Sequence, residues 1–222
     1  QNHPAIHIPF YKKLVSYFYP VSLRRSAGDV NVSLELLLYR NRFQLVTTDA
    51  LYSDGARYAP AIAAVNHFRQ RLPEIKNVLL LGTGIGSVMQ VMHAYGHRPR
   101  FTLVEYDKTV LNWAVELMSD ADAAAAEPVC SDARVFMERN ERTFDLIFID
   151  IFTGMTVPEF VTTQNFLQQC KDSLATNGCL AFNYIIPGRQ EWDRVLETFT
   201  SVFPGCYVIK NGINRILVNS SA

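Results

Sequence analysis

The stretch Val78-Leu-Leu-Leu-Gly82-Thr-Gly84-Ile-Gly86-Ser87 decides how the rest of the sequence is interpreted. Four apolar residues lead into three glycines at alternate positions, and residues 87–95 continue with helical periodicity. A buried strand that feeds a glycine turn and then a helix brings the backbone close to a ligand and points free amide groups at it. The stretch therefore predicts a strand, a ligand-binding loop that contains Gly82, Thr83 and Gly84, and the start of a helix.

A carboxylate follows the glycine loop at an informative distance. Glu105 stands at the end of the next apolar run, 101–104, and in nucleotide-binding α/β folds an acid about 20 residues after the loop accepts hydrogen bonds from ribose hydroxyls. A dinucleotide fingerprint would need a glycine where Ser87 stands, and no Gly-Lys-Ser/Thr run indicates a P-loop. The spacing favours an adenosine-containing ligand other than a dinucleotide. A tight turn without a ligand is the structural alternative.

Two further acids follow predicted strands. Asp132 comes after the weak strand 128–130, and Asp150 comes after the apolar run 144–149. Because ligands in open α/β sheets bind outside the carboxyl ends of the strands, we expect Gly84, Glu105, Asp132 and Asp150 to lie around one crevice. For Asp132, a role as a helix cap is an equal alternative.

The pattern along the chain predicts an α/β fold. From residue 61 to 222, strands and helices alternate, as they do in a Rossmann-like domain with a mostly parallel sheet and helices on both faces. Residues 1–60 are expected to form an N-terminal arm and a β-hairpin with strands at 34–39 and 43–48. The cationic, aromatic segment 1–27 is expected to pack on the same protein, with a membrane or a partner subunit as the alternatives.

Composition narrows the classes of partner. Lys and Arg together number 21, as do Asp and Glu, and this balance argues against a nucleic-acid surface. The four cysteines form no CxxC pair, so we predict reduced thiols in a cytoplasmic protein and no metal site. No apolar run approaches about 18 residues, so no integral membrane segment is expected.

Residues 34–183 resemble the spermidine synthase family within the S-adenosylmethionine-dependent methyltransferase superfamily. The resemblance implies a seven-stranded methyltransferase fold behind a small β-structure, a homodimer or tetramer built through the N-terminal arm and hairpin, and S-adenosylmethionine or its decarboxylated form as the ligand. It is carried by the glycine loop and by four other motifs, namely Phe43-Gln-Leu-Val-Thr-Thr-Asp49, Leu103-Val-Glu-Tyr-Asp107, Cys130-Ser-Asp-Ala-Arg134 and Phe144-Asp-Leu-Ile-Phe-Ile-Asp150.

The resemblance also implies roles for single residues. Gln44 matches a glutamine that contacts the nucleotide, Glu105 matches the ribose-binding acid, and Asp132 with Ala133 matches the adenine-binding pair. Asp150 matches the aspartate that deprotonates the attacking amine. An amine is nucleophilic only when it is neutral, so a carboxylate beside the reacting centre suits that task.

Three departures from the family pattern bear on the reaction. Ile85 replaces the loop aspartate that holds the donor's amino group, and Thr153 replaces a second aspartate that grips the polyamine. The segment Tyr58-Ala-Pro60 stands where the family has tyrosine, His or Gln, and Glu. The departures favour methyl transfer to an unidentified small acceptor. Aminopropyl transfer that makes a polyamine, and a non-catalytic nucleotide-binding or assembly protein, are the alternatives.

Overall fold

The computed structural model describes residues 6, 8–26, 33–48, 51–186 and 188–219. In these residues a four-stranded antiparallel sheet precedes a seven-stranded, mostly parallel sheet. Helices cover both faces of the larger sheet, and each face has its own apolar core. The predicted Rossmann-like α/β class is therefore confirmed.

The N-terminal region is a small sheet rather than a hairpin. Strand β2 alternates buried and half-buried residues, which is the pattern of a strand with one face on a core. Arg40 and Asn41 make the tight turn to β3 with positive φ. The segment contains α1 (Phe10–Val15), β1 (Val21–Ser26), β2 (Leu34–Tyr39), β3 (Arg42–Val46) and β4 (Leu51–Ser53), paired in strand order.

Both additional strands correct the sequence-based expectation. The sequence predicts that β1 is part of the arm 1–27 and that β4 is part of a polar loop over residues 49–58, but each strand pairs with an edge of the expected hairpin. Neither strand has a fully alternating apolar pattern, so only the pairing identifies it. Before β1, the arm is anchored by buried Ile8 and Ser16, while Phe10 remains 79% exposed.

The larger domain alternates helices and strands as predicted. One short helix, α5, was not expected. In chain order the elements are α2 (Ala59–His67), β5 (Asn77–Leu81), α3 (Ser87–Ala94), β6 (Arg100–Glu105), α4 (Lys108–Leu117), α5 (Asp120–Ala124), β7 (Ala126–Cys130), α6 (Ala133–Arg139), β8 (Phe144–Ile149), α7 (Gln164–Asp172), β9 (Leu174–Ile185), α8 (Arg189–Val202), β10 (Tyr207–Asn211) and β11 (Asn214–Val218).

The boundary between α7 and β9 differs from the expectation. The sequence predicts a helix over residues 160–174 that the turn-forming pair Asn177 and Gly178 stops. Instead, α7 starts behind Thr163, whose hydroxyl accepts the Phe166 amide, and the helix ends at Asp172. Asn177 and Gly178 lie inside β9, where the pairing with β8 shifts register and Asn177 takes a φ of 59°. A bulge, not a helix stop, explains this Asn-Gly pair.

The strand order places the carboxyl ends of the central strands together. The order is β10-β11-β9-β8-β5-β6-β7, and the strands from β9 to β7 run parallel. The chain leaves β5 for β6 and β7 and then returns to β8 on the other side of β5. This reversal is a topological switch point, where open α/β sheets bind their ligands. In the described part of the chain, no helix is both long and apolar enough to cross a bilayer.

Candidate functional site

The glycine loop between β5 and α3 depends on backbone freedom at Gly82. Its φ is +84°, and a Cβ there would overlap the carbonyl oxygen of Asp150 and lie 2.7 Å from the carbonyl carbon. The Gly82 amide donates to the Val104 carbonyl at 3.0 Å. Only glycine therefore allows the loop to cross between the ends of β6 and β8.

We expect Gly82→Ala to lower the free energy of unfolding by about 2–4 kcal/mol, because the cost of a positive φ in alanine adds to the cost of the steric overlap with Asp150. Gly96→Ala is the matched control: Gly96 has a φ of +78°, yet a Cβ there would meet nothing within 4 Å. We expect it to cost only about 1–2 kcal/mol. Urea unfolding of both variants measures the difference, and equal losses would contradict the close approach at Gly82.

Glu105 holds the loop in place. Its Oε2 accepts the amides of Thr83 at 3.1 Å and Gly84 at 3.2 Å, and its Oε1 accepts the Asp107 amide at 3.1 Å. Burial raises the pKa of Glu105, and these backbone hydrogen bonds oppose that rise. The carboxylate thus joins the end of β6 to the loop after β5.

Asp132 caps helix α6, which was one of the two roles that the sequence predicted for it. Its Oδ1 accepts the Arg134 amide at 2.7 Å, and its Oδ2 lies 3.5 Å from the Arg134 guanidinium. Asp132 and Ala133 also line the same cavity as Glu105. Asp132 therefore combines the role of a helix cap with a position in the cavity lining.

Asp150 is the centre of a hydrogen-bonded trio. Its Oδ1 accepts the Tyr58 hydroxyl at 2.9 Å and the Asn183 side-chain amide at 2.8 Å. Burial raises the pKa of Asp150 to about 7, against the lowering effect of those two donors and with a further rise from the Glu105 charge. Burial and the Asp150 charge raise the pKa of Tyr58 well above its usual value, so its hydroxyl stays a donor. Asp150 can therefore change protonation state near neutral pH.

A single cavity of about 510 Å³ joins these groups. Gly82, Gly84, Glu105, Asp132, Ala133 and Asp150 all line it. The volume lies in the range of small-molecule sites, and the walls combine apolar side chains with a few polar groups. The predicted convergence at the strand ends is present in this structure.

Two predicted site residues lie elsewhere. The Gln44 amide donates to Asp54 Oδ1 at 2.7 Å, and Gln44 does not line the cavity. The Thr83 hydroxyl is buried and donates to the Val104 carbonyl, so this residue contributes only its backbone amide, which Glu105 accepts. Ile85 also points away from the cavity and packs with apolar residues of the small sheet.

Sequence reasoning did not assign two residues of the Asp150 trio. Asn183 is a fully buried polar residue in an otherwise apolar part of β9, and such a residue is a signal for a hydrogen-bonded partner. Tyr58 precedes α2, and in the resemblance to the family it was only the first residue of an altered segment, without a role. Tyr52 of β4 was also missed; its hydroxyl accepts the Gly154 amide at 2.7 Å and connects the small sheet to the loop after β8.

Sequence comparison finds a family match that includes most of the residues lining the cavity. Residues 56–188 match a family model described as the spermine/spermidine synthase domain. Polyamine aminopropyltransferase of Vibrio vulnificus is 28% identical over 153 residues, which cover 66% of this chain and 51% of the relative. N-terminal histidine N-methyltransferase of Emericella nidulans is 27% identical over 140 residues, covering 60% of this chain and 24% of that relative. The chain therefore spans about half the length or less of these two relatives.

Solved structures share the fold. A probable spermidine synthase from Corynebacterium glutamicum superposes with a TM-score of 0.72 at 18% identity, covering 92% of this chain and 81% of the other. A spermidine synthase in complex with the transition state analogue AdoDATO superposes with a TM-score of 0.69 at 18% identity, covering 91% and 73%. At this identity the likeness establishes a common architecture.

Proposed function

Because the chain belongs to the spermine/spermidine synthase domain family, we propose that it binds an adenosyl sulfonium donor and transfers an alkyl group from it to an amine. The donor is S-adenosylmethionine or its decarboxylated form. The observation that carries this proposal is the convergence of Glu105, the glycine loop and Asp150 on one cavity at the switch point of the sheet.

The lining residues suit the nucleoside part of such a donor. Glu105 would accept hydrogen bonds from the ribose hydroxyls, and Asp132 with Ala133 would border the adenine at the next strand end. Gly82 and Gly84 leave room for the ligand beside the backbone, because they carry no Cβ. The sulfonium supplies an electrophilic carbon and a neutral leaving group.

Asp150 would receive the proton that the amine must lose. The amine binds as an ammonium ion, and the carboxylate removes one proton before the lone pair attacks. Tyr58 and Asn183 hold the carboxylate by its Oδ1, so its orientation is fixed before the acceptor arrives. Both donors also stabilise the anionic form against burial.

Aminopropyl transfer is the first candidate for the group moved. It is supported by the family and by the aminopropyltransferase of Vibrio vulnificus, which matches 66% of this chain. Methyl transfer is the second candidate, and Ile85 favours it: this side chain is buried among apolar residues and offers no carboxylate to the ammonium group of the decarboxylated donor, whereas S-adenosylmethionine carries a carboxylate of its own. The relative from Emericella nidulans, an N-methyltransferase, is compatible with the second candidate.

Titration calorimetry with S-adenosylmethionine, its decarboxylated form and NAD tests the proposal. We expect one of the two sulfonium nucleosides to bind at least about tenfold more tightly than NAD, because the loop lacks the dinucleotide pattern. Preference for the decarboxylated donor selects aminopropyl transfer, and preference for the carboxyl-bearing donor selects methyl transfer. If neither nucleoside binds, the proposal is wrong.

A further inference from the structure

The cavity has two sides, and the strand order separates them. Gly82, Glu105 and Asp132 follow β5, β6 and β7, on one side of Asp150. On its other side, β9 contributes Ile185, and the turn into β11 contributes Ile213 and Asn214. Under the proposed function the donor's nucleoside occupies the first side. The second side, which we call the acceptor side, receives the amine.

The loop after β8 adds apolar groups to the wall of the cavity. Thr153 and Thr156 exchange two backbone hydrogen bonds, of 2.8 and 3.1 Å, across a tight turn. Phe152 and Met155 of this loop line the cavity. The Tyr52 hydroxyl accepts the amide of Gly154, so the turn is tied to the small sheet. This wall is therefore an ordered surface, and its large side chains are apolar.

Two apolar side chains of the cavity wall, one in the loop after β8 and one in the turn before β11, are largely exposed. Met155 is 47% exposed and Ile213 is 57% exposed, although both line a cavity. Large apolar groups at the mouth of a site gain from being covered by an apolar ligand. An ammonium group in the same place would gain nothing from them.

Charge on the acceptor side is confined to one group. Among the described residues that line this side, Asp150 carries the only ionisable carboxylate, and Thr153 contributes a neutral hydroxyl group. Tyr58 and Asn183 both direct their donors at Asp150. A second ammonium ion would therefore enter an apolar region without a counter-ion, which is costly.

From this arrangement we infer that the acceptor is a monoamine with an apolar body, an alkyl or aromatic group that lies between Ile185, Ile213 and Met155, with its nitrogen at Asp150. This inference rests on the proposed function for the reaction itself. The ammonium gives one proton to Asp150, and its lone pair forms the new C–N bond. The C–S bond breaks, its electron pair stays on sulfur, and the products are a neutral thioether and a secondary ammonium ion.

Pentylamine and 1,4-diaminobutane make a matched pair of probes, because a methyl group in one replaces an ammonium group in the other. We expect wild-type protein, titrated in the presence of 5′-methylthioadenosine, to bind pentylamine at least about tenfold more tightly, since removing a charge without a partner is worth about that factor or more. Parallel incubations with each sulfonium donor and each amine, followed by chromatography of the thioether product, report turnover separately.

Two variants test whether the acceptor side determines the preference for pentylamine over 1,4-diaminobutane. Thr153→Asp adds a carboxylate to the acceptor side and should move the binding ratio at least about tenfold toward the diamine. Thr200→Asp places the same charge on an exposed position of α8 outside the cavity lining and should leave the ratio unchanged. Tighter binding of the diamine by wild type, no binding of either amine, or an unchanged ratio in Thr153→Asp would overturn the inference. Preferential binding of pentylamine without thioether formation would support the inference and contradict the proposed function.

Discussion

Asp150→Asn should lower kcat/KM for group transfer by about 10²–10⁴-fold, the usual contribution of a positioned general base. The asparagine Oδ1 can still accept from Tyr58 and Asn183, which both donate to Oδ1 of the native carboxylate. The amide cannot take a proton from the acceptor. Steady-state kinetics measure the loss, and calorimetry should find donor affinity within about threefold of wild type, because an uncharged isostere keeps the local hydrogen bonds.

The pH profile distinguishes loss of a base from a general disturbance. Because burial raises the pKa of Asp150 to about 7, wild-type kcat/KM should fall about tenfold per pH unit below that value. The residual activity of Asp150→Asn should lack this limb. Asp145→Asn, at the opposite end of β8, where the aspartate accepts the Lys76 and Asn77 amides, serves as the matched control. An unaltered pH limb in Asp150→Asn would assign the titration to another group.

Stability provides a second readout for the same variant. A carboxyl with a folded-state pKa of about 7 against an ordinary value of 3.8 binds its proton more tightly when folded. Native stability therefore falls as pH rises from about 4 to about 7, by at most about 4 kcal/mol. Water that enters the cavity reduces this cost. Asp150→Asn should consequently be more stable than wild type in urea at pH 8 and equal to it near pH 4.

The positions of the main acids could be predicted because they depend on one local rule. A parallel strand carries its next residue to the carboxyl edge, so Glu105 and Asp150 followed directly from where β6 and β8 end. The glycine loop then indicated the edge position at which a ligand was expected. No knowledge of distant contacts was needed for these assignments.

Other parts of the site depend on contacts between residues far apart in the chain, which the local sequence pattern does not reveal. Tyr58 reaches Asn183 and Asp150 only because the segment before α2 packs across the ends of β8 and β9. Gln44 is turned toward Asp54, whose position is set by the turn that follows β4, a strand of three residues. A short strand carries too few side chains to show a period, so pairing with β3 decides its structure.

Ile85 illustrates how a departure from the family pattern acquires a structural meaning. In the sequence, Ile85 stands where an acid is expected, and this absence was used only to argue which group the protein transfers. In the structure its side chain fills the core between the glycine loop and the small sheet, with Leu34, Leu36 and Leu45. The buried Ser53 and Ser87 hydroxyls, 2.5 Å apart, join the same two units. The glycine loop is therefore supported by apolar packing at the position where the resemblance to the family implies an acid.

Glu105→Ala should weaken donor binding by about 10²–10⁴-fold. Two hydrogen bonds from ribose hydroxyls to a carboxylate contribute about 3–6 kcal/mol together, and the alanine removes both. The variant also leaves the amides of Thr83, Gly84 and Asp107 without their acceptor. We therefore expect the free energy of unfolding to fall by about 2–4 kcal/mol. Calorimetry with the preferred sulfonium nucleoside and urea unfolding measure the two effects.

Glu105→Gln separates the contact with ribose from support of the loop. Its side-chain carbonyl can replace Oε2 as the acceptor for Thr83 and Gly84, whereas the charge is lost and the Asp107 amide is left without its acceptor. Donor affinity should then fall about tenfold, because the charge-assisted part of the interaction with the ribose is removed. The loss of stability should be smaller than in Glu105→Ala, because two of the three backbone amides keep an acceptor. If Glu105→Ala binds the donor as tightly as wild type, the carboxylate serves the loop alone, and the ribose must be held by other groups of the cavity.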